Sequence, residues 1–149
     1  MMYFDFVSVN QLMKNQVGFC FSAKFSFNQN DVSLFSEVSG DKNPIHLDEK
    51  YAADTIFKKP IIHGFLSGSI FSKILGMNYP GEGTIYLKQN LEFLRPMYVE
   101  HKYIVKIEVL EINSSKGRAL LKTEIYDENQ NLTLNGTALV QNNLYKTSC

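Results

Sequence analysis

From residue 83 onward apolar and polar positions alternate with a period of two, the pattern of strands that bury one face. Four stretches carry it: GTIYLKQNLEFL, KYIVKIEVLEI, GRALLKTEIYD and LTLNGTALVQ. In the second, Tyr103, Val105, Ile107 and Val109 alternate with Lys106 and Glu108. The polar runs Asn113-Ser114-Ser115-Lys116-Gly117 and Asp127-Glu128-Asn129-Gln130-Asn131 supply the turns between them. A further half-buried strand is predicted over residues 17 to 27, where Phe19, Phe21 and Phe25 share one face.

The middle of the chain follows a different period. Residues 64 to 77, GFLSGSIFSKILGM, contain no acidic residue and predict a helix buried over much of its circumference. Gly64, Gly68 and Ser72 form a narrow stripe of small residues, open to close approach by a sheet or by a ligand. Earlier, Asn28 reads as an N-cap with Asp31 in the first turn. The short helix that follows is expected to carry Leu34, Phe35 and Val38 inward and to stop at Gly40. Asp48 reads as the cap of another short helix, DEKYAADTIF, with Glu49 at its positive end. One buried helix with long antiparallel strands is an α+β layout, a sheet curled over the helix. Its edges predict pairing with a second subunit, a homodimer.

Composition narrows the class. At 149 residues the chain makes one domain, residues 1 to 149, with a single substantial core. Hydrophobic residues at 44% against 20% charged rule against disorder. Fifteen basic residues balance fifteen acidic ones, and no basic stripe marks a nucleic-acid partner. The N-terminal MMYFDFVSVNQLMKNQ carries Asp5 and has neither a basic n-region nor a continuous apolar run. It reads as neither signal peptide nor membrane span, so no membrane is expected and the location predicted is cytoplasmic. Cys20 and Cys149 lack metal or redox spacing and suit a reducing compartment.

Candidate chemistry is concentrated in residues 39 to 72, which hold two of the three histidines and two of the four prolines. In Ser39-Gly40-Asp41-Lys42-Asn43-Pro44-Ile45-His46, Gly40 permits positive φ and Pro44 biases Asn43 away from the α region. Asp41 and His46 are thereby placed at the two ends of one tight loop. Lys59-Pro60-Ile61-Ile62-His63-Gly64 then runs straight into the apolar helix. An acid and a base beside a helix N-terminus suit carbonyl chemistry. Taken singly, Asp41 would be a turn carboxylate and His46 a core histidine; the spacing with Asn43-Pro44 between them favours function. His63 reads as orienting the turn or lining the site, His101 as solvated, and Tyr51 and Phe57 as core or wall. A metal on His46 and Asp48 would lack a third ligand at suitable spacing, so none is expected.

These residues resemble a known family. Ser39-Gly40-Asp41-x-Asn43-Pro44-Ile45-His46-x-Asp48, Tyr51-Ala52, Phe57 and Pro60-Ile61-x-His63-Gly64 look like the hydratase motif of MaoC-like (R)-specific enoyl-CoA hydratases. Gly81-Glu82-Gly83-Thr84-Ile85-Tyr86-Leu87 through Phe93-x-x-Pro96 is similar to the family's strand after the central helix. The likeness spans about residues 17 to 141.

The resemblance implies a hot-dog fold, a dimer with the site near the subunit interface, and an acyl tunnel beside the central helix. It implies hydration of a trans-2-enoyl thioester, carried by CoA or acyl carrier protein, to the (R)-3-hydroxyacyl product. Asp41 and His46 would be the catalytic pair, and Gly64 the oxyanion donor. Asn43, His63 and Ser72 would contact or frame the substrate, with no cofactor. Three alternatives stand beside it. A carrier-protein dehydratase or a thioesterase of the same fold would place an acid on the central helix, where residues 64 to 77 have none. A non-catalytic acyl-thioester binding module would lack Asp41 or His46, and both are present.

Overall fold

The computed structural model describes residues 3–9 and 13–146. Six strands make one antiparallel sheet: β1 (Tyr3–Val9), β2 (Cys20–Ser26), β3 (Ile85–Phe93), β4 (Tyr103–Asn113), β5 (Arg118–Asp127) and β6 (Leu132–Gln141). Their order is β1-β2-β4-β5-β6-β3, which leaves β1 and β3 at the edges. The burial of β4 follows the alternation of the sequence and that of β5 and β6 does so over part of their length, whereas β3, expected to bury one face, is exposed or half-buried throughout. Along β4, Tyr103, Val105, Ile107 and Val109 are buried while the residues between them are half-buried. The strand β1 was not anticipated; the reading of residues 1 to 16 as neither leader nor membrane span lies partly outside the described residues, as does Cys149. Among the described residues no helix is long and apolar enough to cross a membrane.

Four helices lie between β2 and β3. They are α1 (Gln29–Ser39), α2 (Pro44–Leu47), α3 (Glu49–Ala53) and α4 (Gly64–Lys73), the last continuing as a π-helical turn over Ile74–Asn78. Leu66, Ile70, Phe71, Ile74 and Leu75 of this central helix are buried with Phe21, Phe25, Val105, Leu121 and Val140 of the strands in one core. Burial on this scale, at roughly 25 cal/mol for each Å² of apolar surface, is the main force holding sheet to helix. Gly64 and Gly68 make the contact with β3 possible. A Cβ at Gly64 would lie 2.8 Å from a Phe93 ring carbon, and one at Gly68 would lie 3.0 Å from a Leu91 methyl. Ser72, on the same stripe, is exposed.

The caps appear where the side chains require them. Asn28 accepts from the backbone N–H of Asp31, whose carboxylate accepts in turn from the N–H of Asn28. The helix α1 ends at Gly40, at φ 76, and Asp48 caps α3 through the N–H groups of Lys50 and Tyr51.

Two expectations are corrected. The inward residues of α1 are Val32 and Ser36, while Leu34 and Val38 are 57% and 88% exposed and Phe35 is half-buried. A serine can hold the buried place because its hydroxyl is satisfied, donating to the Val32 carbonyl oxygen at 3.1 Å. The second concerns His46, which does not end a loop but sits on the one-turn helix α2. Asn43 caps α2 and Pro44 occupies its start, a position where the missing N–H is no loss.

Candidate active site

Short-range hydrogen bonds shape the turn that carries Asp41. Its N–H donates to Ser39 Oγ at 3.1 Å, its Oδ1 accepts from Asn43 N–H at 3.2 Å, and Asn43 Oδ1 accepts from Ile45 N–H at 3.3 Å. Asn43 is thus a bracket within the turn, and the Asp41 carboxylate remains exposed.

His46 is 9% exposed and oriented by one contact, Nδ1 lying 2.8 Å from the carbonyl oxygen of Ile61. A carbonyl only accepts, so Nδ1 carries the hydrogen and the lone pair of the neutral ring is on Nε2. Behind His46 stands His63, with ring centroids 3.8 Å apart and planes at 29°. His63 is 2% exposed, and its Nε2 lies 3.0 Å from the Asp41 carbonyl oxygen and 3.3 Å from Ser36 Oγ. The same logic puts the hydrogen of His63 on Nε2, and Nδ1 is buried without a partner. The pKa of His63 is held below its ordinary value. Burial is the main cause and neighbouring His46 adds to it, while the Asp41 carbonyl and carboxylate pull the other way.

Asp41, His46 and His63 each place a ligand-type atom within 4.8 Å of the others. Those are donor types that suit a metal, but His63 points an N–H at the Asp41 carbonyl and Ser36, and its other nitrogen is sealed in the interior. As arranged, the group suits proton transfer by Asp41 and His46 better than coordination.

The third component is the start of α4. Its first intrahelical bond runs from Ser67 N–H to the His63 carbonyl at 3.0 Å, and no side chain caps the end. The N–H groups of the first turn are therefore unpaired donors at the positive end of the helix dipole. A cavity of about 310 Å³ opens there, lined by His46, Gly64, Ser67, Phe93, Arg95 and Met97 among others. His46 and Gly64 line it, Asp41, Asn43 and His63 stand behind or beside His46, and Ser72 lies outside its lining. Ser36, Ile61 and Arg95 join the site without a local signal in the sequence.

The MaoC-like domain model matches residues 10–130. This chain belongs to the MaoC-like family. The MaoC-like chain is 40% identical to an (R)-specific enoyl-CoA hydratase of Aeromonas caviae over 115 residues, 77% of this chain and 86% of that one. It is 38% identical over 128 residues to a 3-hydroxybutyryl-CoA dehydratase of Methylorubrum extorquens, covering 85% and 80% of the two chains. Among solved structures, the (R)-hydratase from A. caviae involved in PHA biosynthesis matches with a TM-score of 0.82 at 37% identity, over 89% of this chain and 98% of that one. An unliganded R-hydratase from Pseudomonas aeruginosa matches with a TM-score of 0.81 at 38% identity, over 89% and 83%. The curled antiparallel sheet around α4 is the hot-dog fold of these MaoC-like neighbours.

Proposed function

We propose that this MaoC-like protein is a hydro-lyase that adds water to a trans-2-enoyl-CoA, giving the (R)-3-hydroxyacyl-CoA, and also catalyses the reverse dehydration. The observation that carries the reading is the pairing of His46, its Nε2 lone pair open, with the Asp41 carboxylate beside the uncapped end of α4. Relatives named as an (R)-specific enoyl-CoA hydratase and a 3-hydroxybutyryl-CoA dehydratase support the substrate class.

Hydration forms a C3–O bond and a C2–H bond and breaks one O–H bond of water. Asp41 and His46 share one water: one takes its proton as the oxygen attacks C3, and the other delivers a proton to C2. As C3 is attacked, the C2=C3 electrons move toward the thioester and charge builds on its oxygen. The N–H of Gly64 donates to that oxygen, with no reorganisation needed at the moment of reaction. Asn43 holds the Asp41 turn through the bonds on either side of it. Ser72, two turns along the helix from Gly64 and exposed, contacts the substrate beyond the cavity.

The active form is a homodimer in the cytoplasm. The edge strand β3 has one unpaired side, and Ile85, Leu87, Phe93 and Leu94 are exposed along it, as is Phe65 of α4 at 73%. A second copy covers that surface.

The test is direct. The protein is incubated with crotonyl-CoA while the enoyl absorbance is followed, with a thiol reagent present to reveal hydrolysis. Loss of absorbance without thiol release, and an (R) product, are expected. Thiol release at the same rate would instead indicate a thioesterase, and an inert protein that still binds acyl-CoA would indicate a binding module.

A further inference from the structure

The hydratase reading gives work to Asp41 and His46 but none to the buried pair behind them, Ser36 and His63. We infer that His63, seated on Ser36, is a positioning residue that holds the Asp41 turn against His46. The inference rests on the hydratase reading for its kinetic arm and on this structure alone for its geometry.

Three contacts carry it. The His63 Nε2–H donates to the Asp41 carbonyl at 3.0 Å, across 22 residues of sequence. The same N–H meets Ser36 Oγ at 3.3 Å; that hydroxyl donates to Val32, so a lone pair faces the imidazole. The ring lies flat against His46 at 3.8 Å. One imidazole therefore touches the backbone of the acid and the face of the base, and it is anchored to α1. Among the described residues Asp41 makes no other long-range hydrogen bond: its N–H and its carboxylate each bond two residues away within the same turn. Without His63 the turn keeps its local bonds, from His46 N–H to the Asn43 carbonyl and from Lys42 to Glu37, but loses its tie to the interior, while His46 stays bound to Ile61.

His63 is suited to hold and not to react. It is buried, lies outside the cavity lining, and its bare Nδ1 has no partner that would accept a hydrogen. A proton there would place a charge in the interior beside His46, so the ring stays neutral and its N–H stays on Nε2.

The test compares His63→Gln with His63→Leu. The amide of glutamine sets an N–H near the place of Nε2, while leucine fills space with no donor. His63→Leu is expected to lower kcat by about 100-fold, the scale of a misplaced catalytic group, with KM nearly unchanged. His63→Gln should restore most of that loss, and Ser36→Ala should lower kcat by less than His63→Leu. A merely structural role would lower the melting temperature of the variants and leave kcat per folded molecule alone. In the wild-type protein, nitrogen NMR should show His63 as the Nε2–H tautomer at neutral pH, a readout that needs no activity and no variant that folds. A folded His63→Leu with kcat within about threefold of wild type, a glutamine variant no better than leucine, or an Nδ1–H tautomer would each overturn the inference. A wild-type protein inert toward enoyl-CoA but with the expected tautomer would overturn the hydratase reading and leave the positioning geometry standing.

Discussion

The ring of Phe93 fills the space that a side chain at Gly64 would need: a Cβ there would sit 2.8 Å from Cε1 of Phe93. Gly64 therefore has two properties that can be separated, an absent side chain that admits Phe93 and, in the proposed mechanism, an N–H that donates to the thioester oxygen. Gly64→Ala adds the Cβ and keeps the N–H, whereas Gly64→Pro adds the ring and removes the donor. The backbone accommodates proline, since Gly64 begins α4 and His63 before it has φ −54 and ψ 136. Both variants displace Phe93, so the comparison between them isolates the donor. Gly64→Pro should then be slower than Gly64→Ala by a factor of about 100 to 1,000 in kcat, the worth of one oxyanion donor. Equal rates in the two folded variants would mean the thioester oxygen is held elsewhere.

Asp41→Ala and His46→Ala should each lower kcat by about two to four orders of magnitude, the scale for a positioned acid or base. The double variant should lose little more than either single one, because the two groups act on one water. Circular dichroism of each variant establishes that the fold is kept. A folded Asp41→Ala enzyme with near-normal turnover would remove Asp41 from the mechanism.

His63 also links stability to pH. Its pKa is lower folded than unfolded, so between those two values the unfolded chain binds more protons. Its contribution is fully present above the unfolded value, about 6.5, and is lost as pH falls toward the depressed folded value. Urea denaturation should show wild-type stability dropping through that acid window, and His63→Gln should show a shallower drop. An equal slope in both proteins would assign the effect to other groups.

The buried tyrosine pair makes an asymmetric prediction. Tyr145 donates to the Tyr79 hydroxyl at 2.9 Å, and Tyr79 donates to the Lys14 carbonyl at 2.6 Å. Tyr145→Phe removes the outer donor and leaves the bond to Lys14 intact, at about 1 kcal/mol. Tyr79→Phe strands both the Tyr145 hydroxyl and the Lys14 carbonyl, so about 1–3 kcal/mol is expected. Reversal of that order in denaturant titrations would mean the chain of bonds runs the other way.

Analytical ultracentrifugation should find a dimer, consistent with the exposed apolar side chains on edge strand β3. A monomer that remains fully active at assay concentration would rule out a site that needs a second copy.

Much of this protein was legible along the chain because the relevant forces are local. Period-two patterning in the sequence marked β3, β4, β5 and β6, although β3 does not show the burial it implied, and an Asn or Asp beside an unpaired N–H marked the starts of α1 and α3. The motif around Asp41 and His46 identified the family, and the family's fold came with it. Only the tertiary structure decided which face of α1 turns inward, because a buried Ser36 is acceptable once its hydroxyl finds Val32 and His63, and those partners are 4 and 27 residues away. The tie from His46 to Ile61 and the stacking on His63 likewise join residues distant in sequence through backbone carbonyls and ring faces, which leave no mark in residue type. The small-residue stripe was visible in advance, but its use was not. Gly64 and Gly68 admit Phe93 and Leu91 while Ser72 stays exposed, because where β3 crosses α4 is set by packing between elements and not by either element alone.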